Sequence, residues 1–224
     1  MRVIIFANGI VSDPAIARGA IRPDDLLIAA DGGAQNCQIL GLTPNVVIGD
    51  LDSLNPSDLD TLNDRGTQFV LYPKDKDQTD LELALRHAVN SGANEILLIG
   101  LLGGRLDQTL ANLLLLSLPD WEDVQLATLE GPDTAHFLRG GNSIELKGQA
   151  GDIVSLIPLS PKATGVTTRG LRWGLQDAEL SFGSTLGISN EMVKPNSLVK
   201  IDAGNLLIVH RRNERIEEKE GNYV

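Results

Sequence analysis

The sequence predicts an α/β fold, with a parallel-sheet, three-layer N-terminal domain followed by a smaller all-β, sandwich-like C-terminal domain. Three observations predict it. Up to about residue 135, short continuous apolar runs alternate with helix-patterned segments, as in a parallel sheet covered on both faces. From about Gly140 the helix signals vanish, and short alternating segments broken by glycine take over, as in antiparallel strands. Between the two regimes, Gly131-Pro132 and Gly140-Gly141 bracket an expected linker at about residues 135–142.

The first regime offers strands at Val3–Ala7, Leu26–Ala30, Val46–Ile48, Phe69–Tyr72, Ile96–Ile99 and Val124–Leu129. The clearest helix is Thr79–Ser91. Thr79-Asp80-Leu81-Glu82 has the capping-box form, Leu81, Ala84, Leu85 and Ala88 share one stripe, and Gly92 is the stop. A second helix, Asp107–Leu118, is apolar nearly all round and ends at Pro119. The second regime offers strands at Asn142–Leu146, Ile153–Leu159, Gly165–Leu171, Ala178–Phe182, Leu198–Asp202 and Asn205–Val209. The segment Arg211–Val224 is charged and poor in apolar residues, a solvated tail.

Composition narrows the function classes. A net charge of −11, from 19 basic and 30 acidic residues, argues against a nucleic-acid or anionic-membrane surface. No apolar run approaches the roughly 20 residues of a membrane helix. The lone Cys37, among Ala34, Ile39 and Leu40, reads as a buried thiol, and it fits a reducing compartment. A cytoplasmic protein is therefore expected. His87, His136 and His210 are scattered, without zinc-ligand spacing.

The chemistry collects behind the strands. Asn8-Gly9 follows the first, Asp31-Gly32-Gly33 the second and Gly49-Asp50-Leu51-Asp52-Ser53 the third. Lys74 to Asp80 follow the fourth, and Gly103-Gly104-Arg105-Leu106-Asp107 the fifth. In a parallel sheet these ends converge on one edge, where such folds bind ligands. Carboxylates crowded there repel unless a cation sits among them, and Mg2+ takes carboxylates together with substrate phosphates. Each cluster has a simpler alternative. Gly49–Ser53 is also a plain turn, Asp31 a helix cap, Asp80 a complement to its helix dipole, and Asp107 an N-cap. The glycines of Asp31-Gly32-Gly33 also permit close approach of a phosphate. Lys76, beside Asp77, is the better phosphate partner of the two loop lysines. There is no Gly-x-x-x-x-Gly-Lys loop and no Gly-x-Gly-x-x-Gly after the first strand. Phosphoryl-type chemistry under metal control remains.

Taken in order, Asp31-Gly32-Gly33, Gly49 to Ser53, Lys76 to Asp80 and Gly103 to Gln108 resemble the thiamine pyrophosphokinase (thiamine diphosphokinase) family. Gly170 to Leu175 and Gly187 to Glu191 are similar to its thiamine-binding β domain. The resemblance covers roughly residues 3–210. It implies transfer of the pyrophosphoryl group of ATP to the hydroxyethyl oxygen of thiamine, giving thiamine diphosphate and AMP. It also implies Mg2+, ATP as co-substrate, and a homodimer that binds thiamine at the subunit interface. On this sequence, the resemblance makes residues 1–138 the ATP- and magnesium-binding catalytic domain, 139–212 the thiamine-binding domain, and 213–224 a charged tail. Asp50, Asp52, Asp77 and Asp80 would hold the metal and triphosphate. Asp107 would join them or face the reacting hydroxyl. Asp31, Gly32, Gly33, Lys76, Gly104 and Arg105 would hold ATP, and Ser189 and Asn190 would contact thiamine. The chain departs from many bacterial members at Gln108, where they have His, and it has no aromatic residue just after Asn190. Trp173 is the ring available to stack on thiamine, with packing inside the β domain as the alternative. Three other functions fit parts of the pattern: the same transfer to a hydroxymethylpterin, a non-catalytic nucleotide or metal sensor, and a sugar- or phosphate-binding domain needing no metal.

Overall fold

A computed structural model describes residues 1–213, so most of the expected charged tail lies outside the described residues. Six strands form the parallel region. In spatial order they are β4 (Gln68–Leu71), β3 (Val46–Gly49), β2 (Leu26–Ala30), β1 (Arg2–Phe6), β5 (Glu95–Ile99) and β6 (Gln125–Glu130). Each lies within a residue of the bounds its apolar run predicts. Alternate residues feed two cores. Val3, Ile5, Ile28, Ile48, Ile96 and Leu98 pack under α4 (Asp80–Asn90) through Leu81, Ala84, Leu85 and Ala88. Ile4, Phe6, Ala29, Val47, Leu97 and Ile99 face α1 (Pro14–Gly19), α2 (Gly33–Ile39) and α3 (Pro56–Asp64) through Ala17, Ala34, Cys37 and Leu62. Burial pushes the Cys37 thiol far above its ordinary value, so it is an inert core residue. Thr79 caps α4 by accepting from the Glu82 N–H at 3.2 Å; Glu82 itself turns to Arg86. No helix among the described residues is long and apolar enough to cross a membrane.

The expected linker is instead largely a strand. β7 (Asp133–Arg139) turns back on β6 through Gly131-Pro132 and pairs with it antiparallel. Beyond β7 the same sheet continues through β14 (Asn205–Arg211), β9 (Ile153–Pro158) and β12 (Asn190–Glu191), giving ten strands. The remaining strands, β11 (Ala178–Ser181), β10 (Lys162–Arg169), β13 (Asn196–Lys200) and β8 (Ser143–Lys147), form a separate four-stranded sheet. Between the small sheet and the β7–β14–β9 end lies a third core of Leu138, Leu146, Val154, Leu156, Val166, Leu180, Leu206 and Ile208. The C-terminal part is thus sandwich-like, but one of its layers is the extension of the N-terminal sheet.

His136, on β7, borders a groove of about 1250 Å³ that also reaches Arg2 and Glu95, at the amino ends of β1 and β5. Burial pushes its imidazole from an ordinary 6.5 down to about 4, with His210 and Arg212 adding to the effect. Between these values the unfolded chain takes up a proton that the folded chain refuses, so stability falls as pH falls through this window. His136→Gln should flatten the dependence of melting temperature on pH between about pH 6.5 and about pH 4. A variant whose curve tracks that of the unmodified chain would contradict this.

Candidate active site

Strands β2, β3 and β4 lie on one side of β1, and β5 and β6 on the other. The connections leaving β1 and β5 therefore diverge, and a crevice opens at their carboxyl ends, the usual ligand position in open α/β sheets. A cavity of about 500 Å³ lies there, lined among others by Asn8, Gly9, Asp31, Asp80, Gly103, Arg105, Gln108 and Asn112.

The crevice is built by close backbone approach. A Cβ on Gly33 would sit 2.0 Å from the Phe6 carbonyl oxygen, and one on Gly32 would meet the Asn8 side chain at 2.4 Å. These glycines let α2 start directly against the end of β1. Asn36, buried on α2, donates from Nδ2 to the carbonyls of Ala7 (2.7 Å) and Gly9 (3.0 Å) and so fastens the strand end. Gly9 and Ile10 in turn donate from their N–H groups to the carbonyls of Gly100 and Leu102, both at 2.7 Å.

Onto this frame the chain projects its acids. Asp31 follows β2 with φ 44°, a left-handed conformation that aspartate tolerates better than most residues. It does not cap α2, whose N-cap is Gly32, and its Oδ1 is buried without a partner. Gly49 closes β3, and a Cβ there would lie 3.0 Å from Asp31 Cβ and 3.2 Å from Asp80 Oδ1. Asp31 and Asp80 thus flank one glycine. Asp50 and Asp52 follow in a tight turn, with the Asp52 N–H donating to Asp50 Oδ1 at 3.1 Å and Leu51 between them at φ 64°. One oxygen each of Asp31, Asp50 and Asp52 lie within 4.8 Å of one another. That is a donor set for a hard cation.

Two lysines partly offset this charge. Lys74 Nζ donates to Asp52 Oδ2 at 2.6 Å, and the bond holds the Asp52 carboxyl below its ordinary value. Lys76, largely buried, places Nζ 3.0 Å from Asp80 Oδ1, an ion-pair contact without hydrogen-bond geometry. Asp77 is exposed in the same loop, outside the cluster of Asp31, Asp50 and Asp52. Asp107 is exposed in the first turn of α5 (Leu106–Leu115), whose N-cap position is Arg105. Arg105 donates to both its oxygens, at 3.1 and 2.5 Å, and holds its carboxyl below the ordinary value.

The C-terminal candidates meet one another at the far edge of the sheet. Asn190 is spent within the fold: Oδ1 accepts from the N–H groups of Trp173 (3.1 Å) and Glu191 (2.9 Å), and Nδ2 donates to the Trp173 carbonyl (2.7 Å). Trp173 is not packed inside the domain. It is 58% exposed, with the Arg172 guanidinium 5.3 Å from its ring centre. Ser189 is exposed at φ 57°, its N–H donating to Ser155 Oγ at 3.0 Å. Sequence reasoning missed Asn36, Asn112 and Glu130. The signal available for Asn36 was an amide on the buried face of α2, beside Ala34 and Cys37.

A two-layer β unit joined to an α/β unit with an acidic switch-point crevice has the architecture of a group-transfer protein, and known proteins narrow it. The thiamin pyrophosphokinase catalytic-domain family matches residues 18–127, and the thiamin pyrophosphokinase vitamin B1 binding domain matches residues 142–208. Thiamine pyrophosphokinase of Bacillus subtilis is 27% identical over 184 residues, covering 82% of this chain and 86% of that one. Thiamine pyrophosphokinase 3 of Oryza sativa subsp. japonica is 32% identical over 177 residues, covering 74% and 64%. Among solved structures, thiamin pyrophosphokinase from Geobacillus thermodenitrificans superposes with a TM-score of 0.81 at 26% identity, over 96% of this chain and 99% of that one. The chain belongs to the thiamine pyrophosphokinase family.

Gly49→Ala would force a Cβ between Asp31 and Asp80 at a backbone angle of φ 152°. Stability should fall by about 1–3 kcal/mol, readable in urea unfolding, and turnover should fall with it. Unchanged turnover would show that the spacing of Asp31 and Asp80 is not limiting.

Proposed function

We propose that this chain transfers the pyrophosphoryl group of ATP to thiamine. The hydroxyethyl oxygen bonds to the β-phosphorus, the bond from that phosphorus to the AMP oxygen breaks, and the hydroxyl proton is released. The observation that carries the reading is the buried, partnerless Oδ1 of Asp31 among the converging oxygens of Asp50 and Asp52. A buried acceptor without a donor is costly and fits a site completed by a cation. Asp31, Asp50 and Asp52, with Asp80 beside them and Asp77 from the adjoining loop, are the residues that would hold Mg2+. When bound, Mg2+ supplies charge neutralisation at phosphate oxygens.

The remaining roles follow from chemistry and position. Lys76 is freed toward phosphate once Asp80 has another partner. Arg105 offers a planar fork suited to a phosphate, at present satisfied by Asp107. Gly32 and Gly33 seat α2 against the end of β1, and Gly104 lines the crevice without a side chain. In-line transfer needs positioning and charge stabilisation more than a dedicated base, and Gln108 is given no proton-transfer role. The residue boundary at 138 between catalytic and thiamine-binding parts is supported by the two family matches on either side of it.

For thiamine, Trp173 presents a ring face and Ser189 a hydroxyl, while Asn190 holds Trp173 in place. These groups sit beside β12, five strand positions from β5, a lateral offset of roughly 24 Å at the usual strand spacing. That offset supports a homodimer in which one chain's Trp173 face meets the partner's crevice. Two sets of exposed apolar residues support it as well: Leu106, Leu110 and Leu114 along α5, and Phe182, Leu186 and Ile188 between β11 and β12. A cytoplasmic setting belongs to the same proposal, supported by the unpaired Cys37.

Incubation with ATP should give AMP and thiamine diphosphate in equal amounts, only with Mg2+ present and only with thiamine. Equal turnover of a hydroxymethylpterin would overturn the acceptor assignment, and ATP binding without AMP release would favour the sensor. Asp50→Asn should lower kcat/KM by about 10²-fold at saturating Mg2+, the scale of losing one charge-stabilising group. Near-normal turnover would remove Asp50 from the metal set. Leu110→Lys should shift the protein toward monomer in sedimentation and lower turnover in parallel.

A further inference from the structure

We propose that Glu130 is a positioning residue for the transfer reaction, its carboxylate holding the backbone of residues 100–102 that floors the nucleotide crevice. The proposal rests on the reading above that ATP occupies this crevice. Glu130 ends β6, half-buried, and its Oε1 accepts from the Leu101 N–H at 2.7 Å across 29 residues of chain. Among the described residues no main-chain carbonyl takes that N–H. The segment it grips joins the carboxyl ends of β1 and β5 at the site. Gly100 and Leu102 accept from Gly9 and Ile10, and a Cβ on Gly9 would fall 2.3 Å from both carbonyl oxygens. Gly103, Gly104 and Arg105 leave directly from it into the cavity lining. A shift at Leu101 therefore moves both walls of the crevice while leaving the acids of β2 and β3 in place.

A carboxylate that only satisfied a strand end would serve the fold alone, and pH separates the two roles. Burial, with the charge of Asp133 added, pushes Glu130 from an ordinary 4.5 up to about 7, against the pull of backbone N–H groups of residues 100–102. Asp133 is the charged neighbour, and Arg211 pairs with it at 3.3 Å. The ionised form accepts more strongly, so the hold on the loop tightens as pH rises through about 7. Stability runs the other way. The folded value is raised, so the contribution of Glu130 to stability is full below about 4.5 and is lost as pH rises through about 7.

The test compares the unmodified chain with Glu130→Gln by kcat/KM for ATP and by melting temperature, between about pH 6 and about pH 8.5. The unmodified chain should gain activity through an inflection near pH 7 that Glu130→Gln lacks. The variant should be slower by about tenfold at the alkaline end, the scale of one charge-assisted hydrogen bond, yet no less heat-stable there. Superimposable activity profiles would overturn the proposal, as would a variant that loses activity and stability together at every pH. If Glu130→Gln does not fold, amide exchange at Leu101 in the ligand-free, unmodified chain decides. Protection, corrected for intrinsic exchange, must rise through about pH 7, and a flat response overturns the proposal. Absence of AMP formation by the unmodified chain would fault the functional reading, and the exchange measurement would still test the grip.

Discussion

Gly49 leaves little room for a methyl group, at a backbone angle of φ 152°, and the site depends on that. It ends β3 between Asp31 and Asp80, so the lack of a side chain is what allows two carboxylates from different loops to share one side of the crevice. The same constraint recurs at Gly33 against Phe6 and at Gly9 against Gly100 and Leu102. Close backbone approach fixes where the acids stand; the acids do not fix the backbone. Leu51 at φ 64° illustrates the direction of cause. A left-handed leucine costs about 1–2 kcal/mol, and the turn sustains it while Asp50 and Asp52 both remain directed to the cluster.

Crowding carboxylates this way raises an electrostatic problem that the chain solves only in part. Lys74 neutralises Asp52 from an exposed position, where screening leaves the pair little net stability. Lys76 is more enclosed and stands against Asp80. Neither reaches the inward oxygen of Asp31. The protein's own cations therefore blunt the edge of the cluster and leave its centre open. The proposed binding of a metal and a polyphosphate calls for this pattern, since a fully compensated cluster would have no affinity left for either.

The strands of the parallel region were legible because burial on both faces demands unbroken apolar runs, and each run found its strand within a residue. The convergence of Asp31, Asp50, Asp52 and Asp80 was legible for a related reason, since parallel strands deliver their following residues to one edge. What escaped is equally physical. β7 reads Asp-Thr-Ala-His-Phe-Leu-Arg, too polar at both ends to stand out, and its Gly131-Pro132 turn has the composition of a domain break. Asn36 and Glu130 act on main-chain carbonyls and N–H groups 27 to 29 residues away, and such partners leave no mark in sequence. Asp107 was placed by motif among the acids, yet its side chain is claimed by Arg105 two residues earlier.

The misread linker also bears on how the two halves of the proposed site cooperate. A flexible connection near residue 138 would have let the β part swing over the crevice of its own chain. The ladder from β6 through β7, β14 and β9 to β12 is instead continuous, and each step is hydrogen-bonded. Swinging the Trp173 face onto the crevice would require breaking that ladder and the core of Leu138, Leu206 and Ile208 beneath it. Sheets of this kind twist but do not fold shut. The Trp173 face and the acidic crevice therefore stay several strands apart within one chain, and a single substrate can touch both only where a second chain brings its own Trp173 face across.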